Sequence, residues 1–230
     1  MKKILLIGDS IRKGYDLYVK ESMQGLAEVY YPEENCRFAE YVLRHVHMWR
    51  DDLSIDQVDA VHWNVGLWDN LRIYGDECLT PIDAYAAYIE RIAKRLKFLF
   101  PNAVQIFATS TPVIEDGYVK EYEMRYNKDT EAYNEAAVRV LTPLGVRIND
   151  LYALMRETPD SYHSDQTHYY TAEGTARIGG RVNAVLCDAL GLDVAALTPP
   201  DPNKFIVTTL KNDNELYVKR GHLYEPVLGI

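Results

Sequence analysis

A serine near one end of the chain and an aspartate and a histidine near the other have the side chains that acyl transfer needs. Ser10 follows the apolar run Lys3-Ile4-Leu5-Leu6-Ile7 and the pair Gly8-Asp9. Asp165 and His168 stand three apart in Asp165-Gln166-Thr167-His168, just ahead of Tyr169-Tyr170-Thr171-Ala172-Glu173-Gly174. A serine hydroxyl is a poor nucleophile until a base takes its proton, and the base works best when a third group orients it. Ser10, His168 and Asp165 supply nucleophile, base and orienting carboxylate, in the chain order Ser, Asp, His.

The elements around these residues suit that chemistry. The apolar run before Gly8 reads as a short buried strand, and Gly8 lets the chain turn at its end. In open α/β sheets the ligand crevice lies at the carboxyl ends of the strands, where that turn would present Ser10. Further strands are expected at Glu28-Val29-Tyr30-Tyr31, Val58 to Val65, Ala103 to Ala108 and Gly145 to Ile148. Helices are expected from about 15 to 26, from Phe38 to Trp49, over 82–99, over 129–143 and from Asn149 to Arg156. The helix at 38–49 would present Phe38, Tyr41, Val42, His45 and Trp49 on one face. That at 82–99 is the clearest, with Ile82, Tyr85, Ala86, Ile89, Ile92, Ala93, Leu96 and Leu99 at helical spacing. Residues 116–128 read as a tyrosine-rich loop or irregular helix. Thr171 can cap the last long helix, whose apolar face is Ile178, Val182, Val185, Leu186 and Ala189. This alternation of strand and helix predicts a parallel sheet covered by helices on both faces. Gly191 to Pro202 reads as a Pro-rich linker. It divides a domain of residues 1–195 from an extension, 196–230, expected to pack on it with a hairpin around Asn212-Asp213-Asn214.

Gly8-Asp9-Ser10 directly after the first strand, paired with Asp165-x-x-His168 shortly before the last helix, resembles the GDSL/SGNH esterases and acylhydrolases over about residues 3 to 190. The resemblance implies a three-layer α/β/α sandwich with a flavodoxin-like parallel sheet of about five strands. It also implies an oxyanion hole of three donors. The first is the N–H of Ser10. The second is the N–H of a glycine after the second strand, for which Cys36 is the best match here, with Asn35 as an alternative donor. The third is an asparagine side chain after the third strand. The family pattern there is Gly-x-Asn-Asp, whereas this chain has Gly66-Leu67-Trp68-Asp69. Asn64 sits at the strand end, on the same face as Gly66 and Trp68, and is expected to fill the role from a shifted position. Asp9, Asn35, Gly66 and Trp68 are expected beside the substrate. Tyr74, Tyr118, Tyr122, Tyr169 and Tyr170 lie in segments that can line the mouth, although packing is the simpler role for each. The function implied is hydrolysis of a small O-acyl ester, such as an acetyl group on a carbohydrate. A lipid acylhydrolase and a non-catalytic binding module are the alternatives, the latter because of the departures at Cys36 and Trp68.

Composition narrows the partners. The chain has 230 residues and a formal net charge of -9. That argues against nucleic acid, whose phosphates need a basic face. Cys36, Cys78 and Cys187 are odd in number and widely spaced, which suggests neither a disulfide framework nor a zinc site. His45, His47 and His62 make a poor metal set, and no cofactor is expected. Only four apolar residues separate Lys3 from Gly8, too few for a secretory signal, and no apolar run is long enough to span a bilayer. A soluble, cytoplasmic protein acting on a small-molecule or carbohydrate ester is expected.

Overall fold

A computed structural model describes residues 1–118 and 122–205, with the backbone of two further strands, Tyr217–Arg220 (β8) and Leu223–Pro226 (β9). Five strands form one parallel sheet: β1 (Lys2–Ile7), β2 (Ala27–Tyr30), β3 (Ala60–Trp63), β5 (Val104–Ala108) and β7 (Arg147–Asn149). Their order across the sheet is β2-β1-β3-β5-β7. Leu5 pairs with Tyr30, Ile7 with Trp63, Trp63 with Phe107 and Phe107 with Ile148. Strand order reverses between β1 and β3, so the crevice at their carboxyl ends receives both the Ser10 turn and the Asn64 segment.

The central strands are buried on both faces, which is why they read as mainly apolar runs, with His62 and Gln105 as buried polar interruptions. Alternate residues of β1 serve different helical layers. Leu5 and Ile7 join a core with α3 (Ala39–Asp52), α4 (Ile82–Leu99) and α5 (Asn127–Leu141). Ile4 and Leu6 join another with Ile11, Tyr15, Val19, α6 (Leu151–Arg156) and α7 (Ala172–Leu190). The helix expected at about 15–26 is α2 (Asp16–Ser22), which ends earlier, and a separate helical turn, α1 (Ser10–Lys13), precedes it. The buried face of α3 is Ala39, Val42, Leu43, Val46 and Trp49, so Tyr41 and His45 lie at its half-exposed flank rather than inside. Those two rings stack on each other at 3.9 Å, and Tyr41 and Trp49 both bond the Glu34 carboxylate, at 2.6 and 2.7 Å. The segment expected to be irregular at 116–128 contains β6 (Glu123–Met124), which pairs antiparallel with β4 (Arg72–Ile73). Thr171 caps α7, its hydroxyl accepting from Gly174 N at 3.0 Å.

Beyond α7, Leu197 packs on the second core and Phe205 meets Tyr18 edge-on, with ring centroids 6.1 Å apart. β8 and β9 pair antiparallel, Tyr217 with Pro226 and Arg220 with Leu223. The hairpin expected around Asn212-Asp213-Asn214 lies outside the described residues. No helix among the described residues is long and apolar enough to cross a membrane.

Candidate active site

Ser10 is the first residue of α1, so its N–H has no acceptor within the helix. Asp9 is the N-cap. Its Oδ1 accepts from Ile11 N at 3.0 Å and from Asn64 Nδ2 at 2.9 Å. Asp9 is wholly buried and works inside the turn, which removes it from the residues expected to touch substrate. Burial raises its carboxyl, and the bonds from Asn64 and Ile11 oppose that rise. Gly8 is needed for space rather than for a left-handed turn. A Cβ there would lie 2.0 Å from Asn64 Oδ1 and 2.6 Å from Arg12 Cβ.

Ser10 Oγ lies 2.7 Å from His168 Nε2, and His168 Nδ1 lies 2.8 Å from Asp165 Oδ2. The other Asp165 oxygen accepts from the N–H groups of Thr167 and His168, at 2.7 and 2.8 Å. Burial alone would raise the Asp165 carboxyl. The bond from the His168 ring, its charge and the two backbone N–H groups outweigh burial and hold the carboxyl well below the usual range. Asp165 is therefore ionised at neutral pH, with one oxygen fixed by its own loop and the other free to orient the imidazole. Tyr170 joins the two halves of this arrangement. Its ring stacks on His168 at 4.7 Å and 23°, and its hydroxyl donates to the Ser10 carbonyl at 2.8 Å.

The expected oxyanion donors divide. The Cys36 N–H donates to the Gly8 carbonyl at 3.1 Å, continuing the pairing of β1 with the chain after β2, so it is not free for an oxyanion. The Asn35 side chain folds back to accept from Arg37 N at 2.9 Å. Arg37 itself has φ +53°, a conformation in which a glycine would be unstrained. The Arg12 guanidinium, buried against Asp16, reaches Glu34 O at 2.6 Å and fastens this segment to α1. Asn64 is nearly buried at the end of β3. It commits one amide hydrogen to Asp9 and, among the described contacts, keeps the other. Gly66 has φ +149°, and a Cβ there would stand 2.4 Å from Ser110 Oγ. Its segment is tied down by Tyr85 OH donating to Val65 O at 2.9 Å. Trp68 is half-buried and Asn35 is the other half-exposed residue of the expected substrate set.

Three residues that hold the site went unread in the sequence as parts of it: Tyr170 as a brace, Arg12 and Arg125. Arg125 donates to Leu67 O at 2.6 Å and approaches Thr167 Oγ1 at 3.5 Å, bridging the Asn64 loop and the His168 loop. No spacing signal marks such long-range ties. Tyr169 and Tyr170 are buried, whereas Tyr118 is half-buried, with its hydroxyl on Thr167 Oγ1 at 2.6 Å. His62 lies inside the sheet between Tyr15 and Asn149, where burial lowers its pKa to about 3. His163 packs on Tyr169, with ring centroids 3.9 Å apart. Among the described residues no group of three or more His, Cys, Asp or Glu side chains is placed to hold a metal ion.

No family model matches the sequence. A GDSL esterase/lipase of Arabidopsis thaliana is 29% identical over 124 residues, which cover 47% of this chain and 50% of that protein. The chain thus aligns with about half the length of that curated relative. A lipase/acylhydrolase from Enterococcus faecalis superposes with a TM-score of 0.62 at 19% identity, covering 87% of this chain and 99% of the other. An acetyl xylan esterase gives 0.62 at 15% identity, over 80% and 99%. A GDSL-like lipase from Bacteroides thetaiotaomicron gives 0.61 at 15%, over 82% and 89%. With its 2-1-3-5-7 parallel sheet and its Gly-Asp-Ser turn at the crevice, the chain has the fold of the GDSL-type lipases and acylhydrolases.

Proposed function

We propose that this protein is a serine esterase that hydrolyses a small O-acyl ester, with acetyl on a carbohydrate as the preferred class, through Ser10, His168 and Asp165. The observation that carries the reading is the continuous chain of 2.7 and 2.8 Å contacts from Ser10 Oγ through the imidazole to an ionised carboxylate. His168 Nε2 takes the Ser10 proton as Oγ attacks the acyl carbon, then returns it to the leaving alcohol. Asp165 holds the Nδ1 proton and stabilises the imidazolium. The Ser10 N–H and the second amide hydrogen of Asn64 receive the oxyanion. Water, activated by the same imidazole, releases the acid. The likeness in fold to an acetyl xylan esterase supports the substrate class.

A non-catalytic ligand-binding module is the second reading, favoured by one observation: the Cys36 N–H is committed to Gly8. A fluorophosphonate separates the two, because only an activated serine is labelled. The esterase reading expects labelling of the wild type and none of Ser10→Ala. It also expects p-nitrophenyl acetate to be turned over faster than long-chain esters, with kcat falling roughly 10⁴–10⁶-fold in Ser10→Ala and in His168→Ala. An unlabelled, inactive wild type would assign the crevice to binding, and a preference for long acyl chains would assign it to lipids.

A further inference from the structure

The helical layer of α3 and α4 carries a groove lined by basic side chains. α3 and α4 pack side by side, and the seam between them opens into a groove of about 390 Å³. That volume is within the range of small-molecule sites. Arg44 and His47 of α3 face Tyr88, Arg91 and Arg95 of α4 across it, with Glu40 at one end. Three guanidinium groups against one carboxylate make a local excess of positive charge on a chain whose net charge is -9. Among the described residues none of the three arginines has a carboxylate partner. Arg44 reaches only Met48 Sδ, at 3.3 Å. His47 Nδ1 is buried without a hydrogen-bond partner. Tyr88 and Arg95 are half-buried, so the groove has an aromatic wall and a guanidinium partly withdrawn from water. Guanidinium groups bind carboxylate and phosphate through paired N–H donors, and several on adjacent helices can hold more than one such group.

We propose that this groove binds a small polyvalent oxyanion, a ligand carrying two or more carboxylate or phosphate groups, at a site separate from Ser10, His168 and Asp165. Calorimetric titration of the full chain with citrate and with inorganic pyrophosphate tests it, with acetate at matched ionic strength as the control. Saturable binding of one equivalent of either probe is expected, and the tighter of the two identifies the ligand's acidic group. Arg91→Gln and Arg95→Gln should each weaken that binding about fivefold, the factor expected for one exposed charge pair. Arg139→Gln, exposed on α5 outside the groove, should leave it unchanged. Ester turnover should be the same in all three variants. No saturable binding, equal weakening by Arg139→Gln, or undiminished binding in both groove variants would overturn the proposal.

Discussion

Gly8→Ala is the smallest change that tests how the serine turn is built. The new Cβ would stand 2.0 Å from Asn64 Oδ1, 3.0 Å from Asn64 Cγ and 2.6 Å from Arg12 Cβ. The contacts at 2.0 and 2.6 Å cannot be accommodated without movement, and the neighbours differ in how far they can yield. Arg12 Cβ is fixed by its own backbone and by the buried ion pair with Asp16. Asn64 can move only by giving up its 2.9 Å bond to Asp9, the residue that caps the helix bearing Ser10. Overpacking of this kind typically costs about 1–3 kcal/mol. A displacement of about 1 Å in a positioned group can cost about 10²-fold in rate. The expected result is therefore a lower denaturation midpoint and a kcat on p-nitrophenyl acetate reduced about 100-fold, with KM little altered. Gly8→Ala combined with Asn64→Ala removes the worst clash and leaves that with Arg12. Gly8→Ala should therefore cost less stability in the Asn64→Ala background than in the wild type, and the double variant should regain none of the activity. Wild-type stability and turnover in Gly8→Ala would refute the close approach, and an equal stability cost of Gly8→Ala in the wild-type and Asn64→Ala backgrounds would refute the part assigned to Asn64.

Asn64→Ala should lower kcat by about 10²–10³-fold, the usual cost of one oxyanion donor, and Trp68→Phe by less than tenfold. The reverse ranking would make the Trp68 indole the donor. Tyr170→Phe keeps the ring on His168 and deletes the hydroxyl that holds the Ser10 carbonyl, so kcat should fall with KM unchanged, alongside about 1–3 kcal/mol of stability. A variant that loses stability but not kcat would reduce Tyr170 to packing. Asp69 is buried and caps α3 through Ala39 N, and burial raises its carboxyl to about 7. The folded protein then keeps a proton that the unfolded chain loses above about pH 4, so stability should fall from about pH 4 to about pH 7, by at most about 4 kcal/mol. Asp69→Asn should lack that slope, and parallel pH profiles of wild type and variant would show that Asp69 does not titrate in this window.

The parts legible in the sequence are those carried by short segments. Buried parallel strands must be apolar on both faces, which exposed β1 and β5 as runs. α4 declared itself by periodicity alone. Ser10 stands three residues past β1, and Asp165 and His168 share one loop, so each half of the proposed triad is a local pattern. The unreadable parts are contacts between segments far apart in the chain. The burial of Tyr170 against Ser10 and the commitment of the Cys36 N–H to Gly8 depend on partners that no spacing names. Periodicity places Tyr41 and His45 on the inner face of α3 because their rings recur at helical spacing, yet they stack at its edge on the Glu34 side. β4 and β6 pair over two residues each, too few to leave a pattern.

Gly8-Asp9-Ser10 shows how a readable motif can have an unreadable cause. As sequence it is a turn after a strand, with a glycine to bend the chain. In the structure Gly8 has no left-handed backbone to account for it. It is a glycine because the Asn64 amide from the end of β3 lies against its α-carbon. Asp9 is an aspartate because one carboxylate oxygen must accept from both the Ile11 N–H and that same amide. Gly8 and Asp9 thus fix where Asn64 sits relative to Ser10, and a fixed distance between the proposed nucleophile and an amide is what a preorganised oxyanion site requires. The motif encodes the junction of β1 with β3, and the adjacency of those two strands at the reversal of the sheet is what the chemistry proposed for the three residues depends on.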